Sequence, residues 1–304
     1  MKFPSPSSAD SVIAVQELSR CFGSRLALDN VSLYIPQGCV FGLVGENGAG
    51  KTTLIKHILG LLRAQSGSVR VFGRDPVADS VGVLGRIGYL SEYRDLPPWM
   101  TISQLLCYIA AFYPTWDEPY AEALREQFGL DPAARVKSLS QGQQAKAGLL
   151  LALAFRPPLL LLDEPSTGLD PVVRRDILEA IIRTVAEEGR TVFFSSHLLD
   201  EIERVSDQVA MIRQGKVVLC GPLDEVKASH RRLILRFDAP RSEPPKLQQA
   251  LSVAGAGREW TVLCNGAQPE LAADAVELGA RIVAEEIPSL HEIFVARAAQ
   301  TVAV

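Results

Sequence analysis

Short apolar runs and longer mixed segments alternate along this 304-residue chain. Apolar runs of four to six residues, which are typical of strands buried in a sheet, occur at residues 39–44, 69–72, 159–162 and 191–195. Residues 52–62 and 171–188 follow two of these runs and have helical character. Because strands that alternate with helices favour a mostly parallel sheet covered on both faces, the pattern predicts an α/β fold.

Two further pairs of strands are expected to lie next to each other. Residues 12–18 and 31–35 lie on either side of a Gly-Ser pair and suggest an antiparallel sheet at the edge of the fold. Residues 209–212 and 217–219 are joined by the turn sequence Arg-Gln-Gly-Lys, which predicts a hairpin.

Residues 92–154 interrupt this alternation with a block of helical character. Turns within the block are expected near Pro97, Pro114 and Pro132, since proline cannot continue a helix. The sequence therefore predicts a helical insert within the α/β core.

The pattern changes again after residue 222. Three strands and three helices are expected in this part of the chain: strands at residues 233–237, 260–264 and 281–284, and helices around Lys246, Ala272 and Leu290. The predicted organisation is a disordered, Ser/Pro-rich terminus at residues 1–10, an α/β domain at residues 11–222, and a small C-terminal α/β accessory domain at residues 223–304. We find no catalytic signature in the accessory domain.

Composition narrows the possible functions. Apolar residues make up 47% of the chain, which is enough for a sizeable core, and the net charge of −4 provides no basic field suited to nucleic acid. The longest apolar run, residues 147–155, is far shorter than the roughly 20 residues that a membrane-spanning helix needs, so we expect the polypeptide not to cross a membrane by itself. The five cysteines are scattered without metal-ligand spacing, which predicts reduced thiols and a cytoplasmic location.

A phosphate-binding loop is predicted between the strand at residues 39–44 and the helix that follows it. Its residues are Gly45, Glu46, Asn47, Gly48, Ala49, Gly50, Lys51 and Thr52. Glycine lets the backbone turn tightly, so that successive N–H groups and the positive end of the helix dipole face one hollow. In this pattern Lys51 reaches the β- and γ-phosphates, and the Thr52 hydroxyl coordinates Mg²⁺.

Two adjacent carboxylates end the buried run at residues 159–162. Neighbouring side chains on a strand point to opposite sides, so Asp163 and Glu164 are free to take different roles. We expect Asp163 to hold Mg²⁺ and Glu164 to polarise the attacking water as general base. His197 follows the next parallel strand and emerges at the same edge of the sheet, where an imidazole could bind the γ-phosphate and the water.

With these motifs in place, the chain resembles the ATP-binding subunit of an ABC transporter over residues 11–222. The family's signature has its counterpart between the loop and the acidic strand, and it reads Leu139, Ser140, Gln141, Gly142 and Gln143. Gln141 departs from the usual glycine. The resemblance implies that this signature clasps the γ-phosphate of ATP bound to the opposite subunit.

The resemblance also assigns several isolated residues. Phe22 stands where the family places an aromatic that stacks on adenine, and Thr53 extends the phosphate-binding set. Glu92 replaces the family's usual glutamine, which senses Mg²⁺ and links the ATP site to the membrane subunit. Asp170 ends the segment that crosses the dimer interface. The aromatic and apolar residues near Trp99 are a candidate docking point for a helix of a membrane subunit.

The implied function is a MgATP-binding and MgATP-hydrolysing subunit that dimerises with ATP and powers a transmembrane transporter. The expected partners are a second ATPase subunit, in a homodimer, and integral membrane permease subunits, with the chain peripheral on the inner face of the cell membrane. A heterodimer and either direction of transport stay open. Residues 112–117 and 289–294 resemble segments of export-type subunits and favour export.

Two other functions remain as alternatives at this point. The first is a soluble ABC-type ATPase acting in translation or DNA maintenance, but the chain has a single cassette, no sustained heptads in the insert and no basic stripe. The second is a nucleotide-binding regulator that does not hydrolyse ATP, which the presence of Glu164 and His197 disfavours.

Overall fold

The structure, a computed structural model, describes residues 11–93, 95–186, 189–247, 249–266 and 268–300. It divides the chain into two compact units, residues 1–220 and residues 221–304. The terminal segment predicted to be disordered, residues 1–10, lies outside the described residues.

The first unit contains two sheets and seven α-helices among its described residues. Its strands are β1 (Ser11–Phe22), β2 (Arg25–Pro36), β3 (Val40–Val44), β4 (Ser66–Val71), β5 (Ile87–Leu90), β6 (Leu159–Asp163), β7 (Thr191–Ser196), β8 (Gln208–Arg213) and β9 (Lys216–Pro222). Its α-helices are α1 (Lys51–Ile58), α2 (Ser80–Leu84), α3 (Ile102–Ala110), α4 (Glu118–Gln127), α5 (Gln141–Leu153), α6 (Pro171–Ala186) and α7 (Leu199–Val205), and Val136–Ser138 forms a 3₁₀-helix.

The larger sheet has the strand order β5-β6-β7-β3-β8-β9. The pairs from β5 to β8 are parallel, and β3, β6 and β7 are buried along their whole length. Phe41 and Phe193 pair directly across β3 and β7, and their rings stack with centroids 5.6 Å apart. The predicted α/β fold with a mostly parallel sheet is therefore confirmed, and the parallel strands end together at one edge.

The smaller sheet, β2-β1-β4, is antiparallel throughout. Its inner face joins the same hydrophobic core as the parallel sheet, with Ile13 and Leu33 packed into one cluster with Phe41 and Phe193. The β1–β2 hairpin extends beyond the predicted strands, to a tip where Phe22 pairs with Arg25. The sequence pattern did not predict this extension because its residues are mostly exposed and have no buried face.

The helical insert, which consists of α3 to α5, packs on β5. A Cβ atom at Gly88 in β5 would collide with the carbonyl oxygen of Ala152, and one at Gly148 would lie 2.6 Å from Leu90 Cδ1. Glycine at these two positions therefore lets α5 lie directly on β5. At the start of α3, Thr101 and Gln104 form a reciprocal capping box, which fixes where this helix begins.

The second unit is a three-stranded antiparallel sheet with helices. It contains α8 (Leu223–Ala228), β10 (His230–Arg241), β11 (Ala250–Asn265), α9 (Gln268–Glu277), β12 (Ala280–Glu286) and α10 (Leu290–Gln300). The sheet order is β11-β10-β12, and Leu235, Val262 and Leu271 lie in its own core.

Several predicted elements differ from the structure. The described residues around Lys246, 243–247 and 249, form no helix, because Pro244 and Pro245 lack N–H donors and disfavour helical backbone before them. The first helix ends at Ile58 rather than at residue 62, since Gly60 has a positive φ of 71° and approaches the carbonyl of Pro76 closely. The elements α2, β5, α7 and α8 are too short to have given a periodic signal.

None of the helices in the described part of the chain has the length and apolar character required to cross a bilayer.

Candidate active site

The predicted phosphate loop lies between the end of β3 and the start of α1. Gly48 and Gly50 have φ values of 79° and 114°, in the region that side chains rarely adopt. A Cβ atom at Gly50 would also lie 2.6 Å from the carbonyl oxygen of Ala27, so glycine is required there on two grounds. The loop therefore turns tightly, with Glu46 and Asn47 exposed and Ala49 buried beneath them.

Neighbouring elements hold this loop in place. The N–H of Gly215, in the β8–β9 turn, donates to the carbonyl of Ala49 at 2.9 Å. Arg25, at the start of β2, donates from Nη2 to the carbonyl of Gly48 at 3.0 Å. The loop is thus braced from the large sheet and from the β1–β2 hairpin.

Lys51 turns its ammonium group into the loop. The side chain is 6% exposed, and Nζ donates to the carbonyl of Gly45 at 2.6 Å and to that of Glu46 at 3.3 Å. Nζ also lies 3.0 Å from Oε1 of Glu164, which joins the loop to the end of the acidic strand.

Glu164 is the centre of the predicted catalytic group. Its second carboxylate oxygen, Oε2, is 2.7 Å from His197 Nδ1 and accepts from the Thr167 hydroxyl at 3.0 Å. Burial raises the pKa of this carboxyl group, but the Lys51 charge and hydrogen bonds from Lys51 and His197 outweigh that effect and hold the pKa below its ordinary value. Glu164 is therefore ionised and lies between an ammonium group and an imidazole.

The backbone of Glu164 is as constrained as its side chain. Its φ is 51°, a left-handed conformation that is uncommon for a non-glycine residue and that re-aims the side chain directly after β6. The N–H donates to the hydroxyl oxygen of Ser195 at 3.1 Å, which ties the end of β6 to β7. The strand end is thereby fixed in a conformation that brings the carboxylate to Lys51 and His197.

The side chain of Asp163, the last residue of β6, contacts different groups from that of Glu164. It is 1% exposed, accepts from the Ser195 hydroxyl at 2.7 Å, and is hydrogen-bonded to the Thr52 side chain. Burial raises its pKa, partly offset by hydrogen bonds from Ser195 and Thr52. The structure thus brings together a hydroxyl and a carboxylate, which are oxygen donors of the kind that Mg²⁺ prefers.

Glu92 lies in the turn after β5, next to the acidic strand. Burial raises the pKa of Tyr89 to about 12, with added contributions from the negative charges of Asp163, Asp95 and Glu92. Glu92 and Asp163 therefore both act on Tyr89 electrostatically. Within the described ranges, no three His, Cys, Asp or Glu side chains form a cluster that could hold a metal ion by themselves.

The signature residues occupy the start of α5, in the helical insert. The Ser140 hydroxyl accepts from the N–H of Gln143 at 3.2 Å, and Gln143 Oε1 accepts from the N–H of Ser140 at 2.9 Å. Ser140 and Gln141 are exposed, whereas Leu139 and Gly142 are buried. This helix start is therefore preformed by a capping box and presents its first residues to solvent.

The segment from Ser166 to Asp170 lies beside the signature of the same chain. A Cβ atom at Gly168 would lie 3.4 Å from Gln141 Oε1, and one at Gly142 would lie 2.9 Å from Val173 Cγ2. Asp170 lies directly before α6, and its Oδ1 accepts from the N–H groups of Val172 and Val173 at 3.0 and 3.1 Å.

The two remaining predicted residues lie on β1 and α1. Phe22, at the end of β1, is 45% exposed, and the Arg20 guanidinium lies 4.8 Å from the centroid of its ring. Thr53, in the first turn of α1, uses its backbone carbonyl to contact His57 Nδ1 at 2.8 Å.

A buried polar cluster next to His197 was missed by the sequence analysis. It consists of Ser166, Ser196, Glu201 and Arg174, which come from four different segments of the chain. The only local signal was the position of Ser196 directly before His197, and a serine there has no pattern that indicates a partner.

Comparison with known proteins decides the family. A family model described as ABC transporter matches residues 28–167. The ABC transporter ATP-binding protein YtrB of Bacillus subtilis is 30% identical over 286 residues, which cover 94% of this chain and 98% of that protein. The chain belongs to the ABC transporter ATP-binding proteins.

Other members of this ABC family agree with the assignment. The bacitracin transport ATP-binding protein BcrA of Bacillus licheniformis is 32% identical over 74% of each chain. A solved structure of the ATP-binding subunit of an ABC transporter superposes with a TM-score of 0.66 at 28% identity, covering 72% of this chain and 92% of that one. The predicted nucleotide-binding fold, with its antiparallel β subdomain, is confirmed.

The comparisons also decide the general activity. This ABC protein is the ATP-binding and ATP-hydrolysing subunit of a transporter, as the sequence predicted. Its relatives do not favour the alternative of a soluble ATPase in translation or DNA maintenance.

Proposed function

We propose that Glu164 is the general base of ATP hydrolysis, with His197 as its hydrogen-bond partner. The observation that supports this assignment is the contact of one buried carboxylate with both Lys51 Nζ at 3.0 Å and His197 Nδ1 at 2.7 Å. An ionised carboxylate at this strand end can orient and polarise an attacking water, and His197 can hold the γ-phosphate beside it.

Lys51 and the loop backbone bind the β- and γ-phosphates in this proposal. The loop from Gly45 to Thr53 presents backbone N–H groups at the start of α1, and the Lys51 ammonium already lies within it. Phe22 provides an exposed ring on which adenine stacks, at the tip of a hairpin that Arg25 fastens to the loop.

The residues proposed to hold Mg²⁺ are Thr52, Asp163 and Glu92. The hydrogen bond between Thr52 and Asp163 supports this set, because it puts a hydroxyl and a buried carboxylate in contact next to the loop. When bound, Mg²⁺ would neutralise part of the phosphate charge. Glu92 stands where the family usually has a neutral glutamine, so it adds a negative charge at the proposed Mg²⁺ site. Because this charge repels the phosphates, ATP binding should depend more strongly on Mg²⁺.

The assembly we propose is a head-to-tail homodimer. Ser140 and Gly142 of one copy would bind the γ-phosphate of ATP on the other copy, with Asp170 at the interface. The exposed, preformed start of α5 supports this role, since Ser140 and Gln141 face solvent within one chain and the capping box fixes the first turn. Both halves of such a site are present in this one sequence, so two identical copies would complete two sites.

A groove beside β5 is the proposed docking site for a membrane permease subunit. It is lined by apolar residues of the core and the helical insert, among them Leu59, Leu96, Ile109, Tyr113 and Phe155. Exposed aromatic side chains, Tyr93, Trp99 and Phe112, add to the apolar surface of this unit. A single apolar helix of a membrane subunit is the partner that we propose for this groove, with the chain peripheral on the inner face of the cell membrane.

Export is the direction of transport we propose. BcrA is named for bacitracin transport, and DrrA of Streptomyces peucetius, 32% identical over 74% of this chain, is named for daunorubicin and doxorubicin resistance. Transport of an antibiotic and resistance to a drug are consistent with export, and this chain would serve an exporter of the same general kind.

The first test is to purify the Glu164→Gln variant with ATP from detergent-solubilised cells. An integral membrane protein that accompanies it and stimulates wild-type ATP hydrolysis on reconstitution is the expected result. Ribosomes, DNA or no partner would contradict the transporter assembly. Replacing Trp99 and Met100 with alanine should abolish this association without changing the ATPase rate of the isolated subunit, and intact association would rule out a docking role for these two residues.

A further inference from the structure

Glu201 is a buried carboxylate that the proposed catalytic group does not include. It lies on α7 with 4% exposure, and its Oε2 accepts two hydrogen bonds, from the Ser166 hydroxyl at 2.6 Å and from the Ser196 hydroxyl at 3.1 Å. Both serines are fully buried. A buried charge needs such partners, and here they come from two segments that lie far apart in sequence.

The positions of the two serines connect Glu201 to the active site. Ser196 is the residue directly before His197, and Ser166 is the second residue after Glu164. The Ser196 hydroxyl also accepts from the N–H of Leu198 at 3.0 Å, so it fixes the backbone on both sides of His197. One carboxylate therefore sets how the two segments that carry Glu164 and His197 lie against each other.

Arg174 extends the cluster to the proposed dimer interface. Its Nε lies 3.2 Å from Glu201 Oε1, and its Nη2 donates to the carbonyl of Leu169 at 3.4 Å. Leu169 belongs to the segment that ends at Asp170. Glu201 thus joins the start of α6, the interface segment and the residue before His197 through both of its oxygens.

A contribution to stability does not by itself explain the buried carboxylate of Glu201 and its partners. A buried ion pair often contributes no more to stability than apolar residues of the same volume, because removing the charges from water is costly. The cluster does fix geometry, since the Ser166 and Ser196 hydroxyls both donate to the same oxygen of Glu201.

We propose that Glu201 is a positioning residue for ATP hydrolysis, which holds His197 and the interface segment in one arrangement relative to Glu164. This inference rests on the proposed roles of Glu164 and His197. It predicts that the cluster acts on the chemical step and leaves the binding of ATP to the phosphate loop unchanged.

The test compares Ser196→Ala and Glu201→Gln with wild type in steady-state ATP hydrolysis. We expect kcat to fall by about 10- to 100-fold in each variant, since small misplacements of catalytic groups cost that much. The KM for ATP should stay at its wild-type value. The thermal midpoint should fall in both variants, because each one loses a buried hydrogen-bond partner, so turnover is measured well below it. The double variant should lose no more than the worse single variant, because both changes break the same contact.

Ser206→Ala is the matched control, because Ser206 is also a buried serine close to α7, and its hydroxyl has no hydrogen-bond partner among the described residues. It should keep the wild-type kcat. Wild-type turnover in both Ser196→Ala and Glu201→Gln would overturn the proposal, and so would a kcat that falls only together with ATP affinity. Glu164→Gln, assayed in parallel, separates this outcome from a failure of the proposed base: if it alone loses turnover, only the role of Glu201 is wrong.

Discussion

Replacing Glu164 with glutamine should change turnover and ATP binding in opposite directions. The variant keeps an oxygen that can accept from His197 but loses the charge that orients and polarises water. Removal of a general base costs about 10²–10⁴-fold in rate, which corresponds to about 2.7–5.4 kcal/mol in the activation free energy. We therefore expect kcat to fall by at least 100-fold at saturating MgATP.

The binding effect follows from the contact between Lys51 and Glu164. Two unit charges 3.0 Å apart attract each other by about 5–6 kcal/mol at an effective dielectric constant of about 20, before the cost of desolvation is subtracted. ATP has to compete with this carboxylate for the Lys51 ammonium. Glutamine removes the competitor, so the Kd for ATP should stay the same or fall, by up to about tenfold.

Phosphate release and equilibrium binding of radiolabelled ATP measure the two effects separately. Light scattering with and without ATP adds the oligomeric state, and the variant should remain dimeric for as long as ATP is present. Glu179→Gln, which makes the same chemical change at an exposed position on α6, is the matched control. Turnover of Glu164→Gln near the wild-type rate would refute the general-base role, and a weaker affinity for ATP would refute the competition for Lys51.

Three further predictions follow from the packing of the first unit. Phe22→Ala should raise the KM for ATP by about 5- to 160-fold, since stacking of a base on an aromatic ring contributes about 1–3 kcal/mol. An unchanged KM would remove Phe22 from the adenine site. Phe193→Ala should lower the free energy of unfolding by about 3–5 kcal/mol, because the Phe193 ring is fully buried and stacks on Phe41. Urea titrations measure this loss, and a value below about 1 kcal/mol would show that the core repacks easily. Thr101→Ala should cost about 1 kcal/mol by removing the α3 cap, seen as faster amide hydrogen exchange in the first turn of that helix, whereas unchanged exchange would mean that packing alone fixes where α3 begins.

The parallel sheet could be predicted because its strands are continuous apolar runs. The strand at Leu159–Asp163 ends in carboxylates, and the strand at Val40–Val44 ends in a glycine-rich loop, so both the elements and the edge at which they meet were evident from sequence. The structure adds the contacts of Lys51 and His197 with Glu164, which no spacing encodes.

Short elements and long-range polar contacts could not be predicted in this way. The strand at Ile87–Leu90 has four residues, which is too few for a periodic signal. Its packing on the helical insert depends on two glycine contacts, which no periodicity indicates. The helix predicted around Lys246 was wrong because the two prolines before it outweigh the helical propensity of the residues that follow. Ser166 and Glu201 are 35 positions apart, and their hydrogen bond depends on the parallel sheet bringing two strand ends together.

The close packing of α5 on β5 has a mechanical consequence. The helix has 13 residues and is therefore about 20 Å long, with Ser140 capping one end and Ala152 against Gly88 near the other. The two backbones meet directly at Gly88, and the Leu90 side chain packs on Gly148, so helix and strand cannot slide past each other without collision. The helix therefore moves as a rigid body. A displacement of its capped end is transmitted directly to β5, the strand that leads into Glu92, because no loop lies between them.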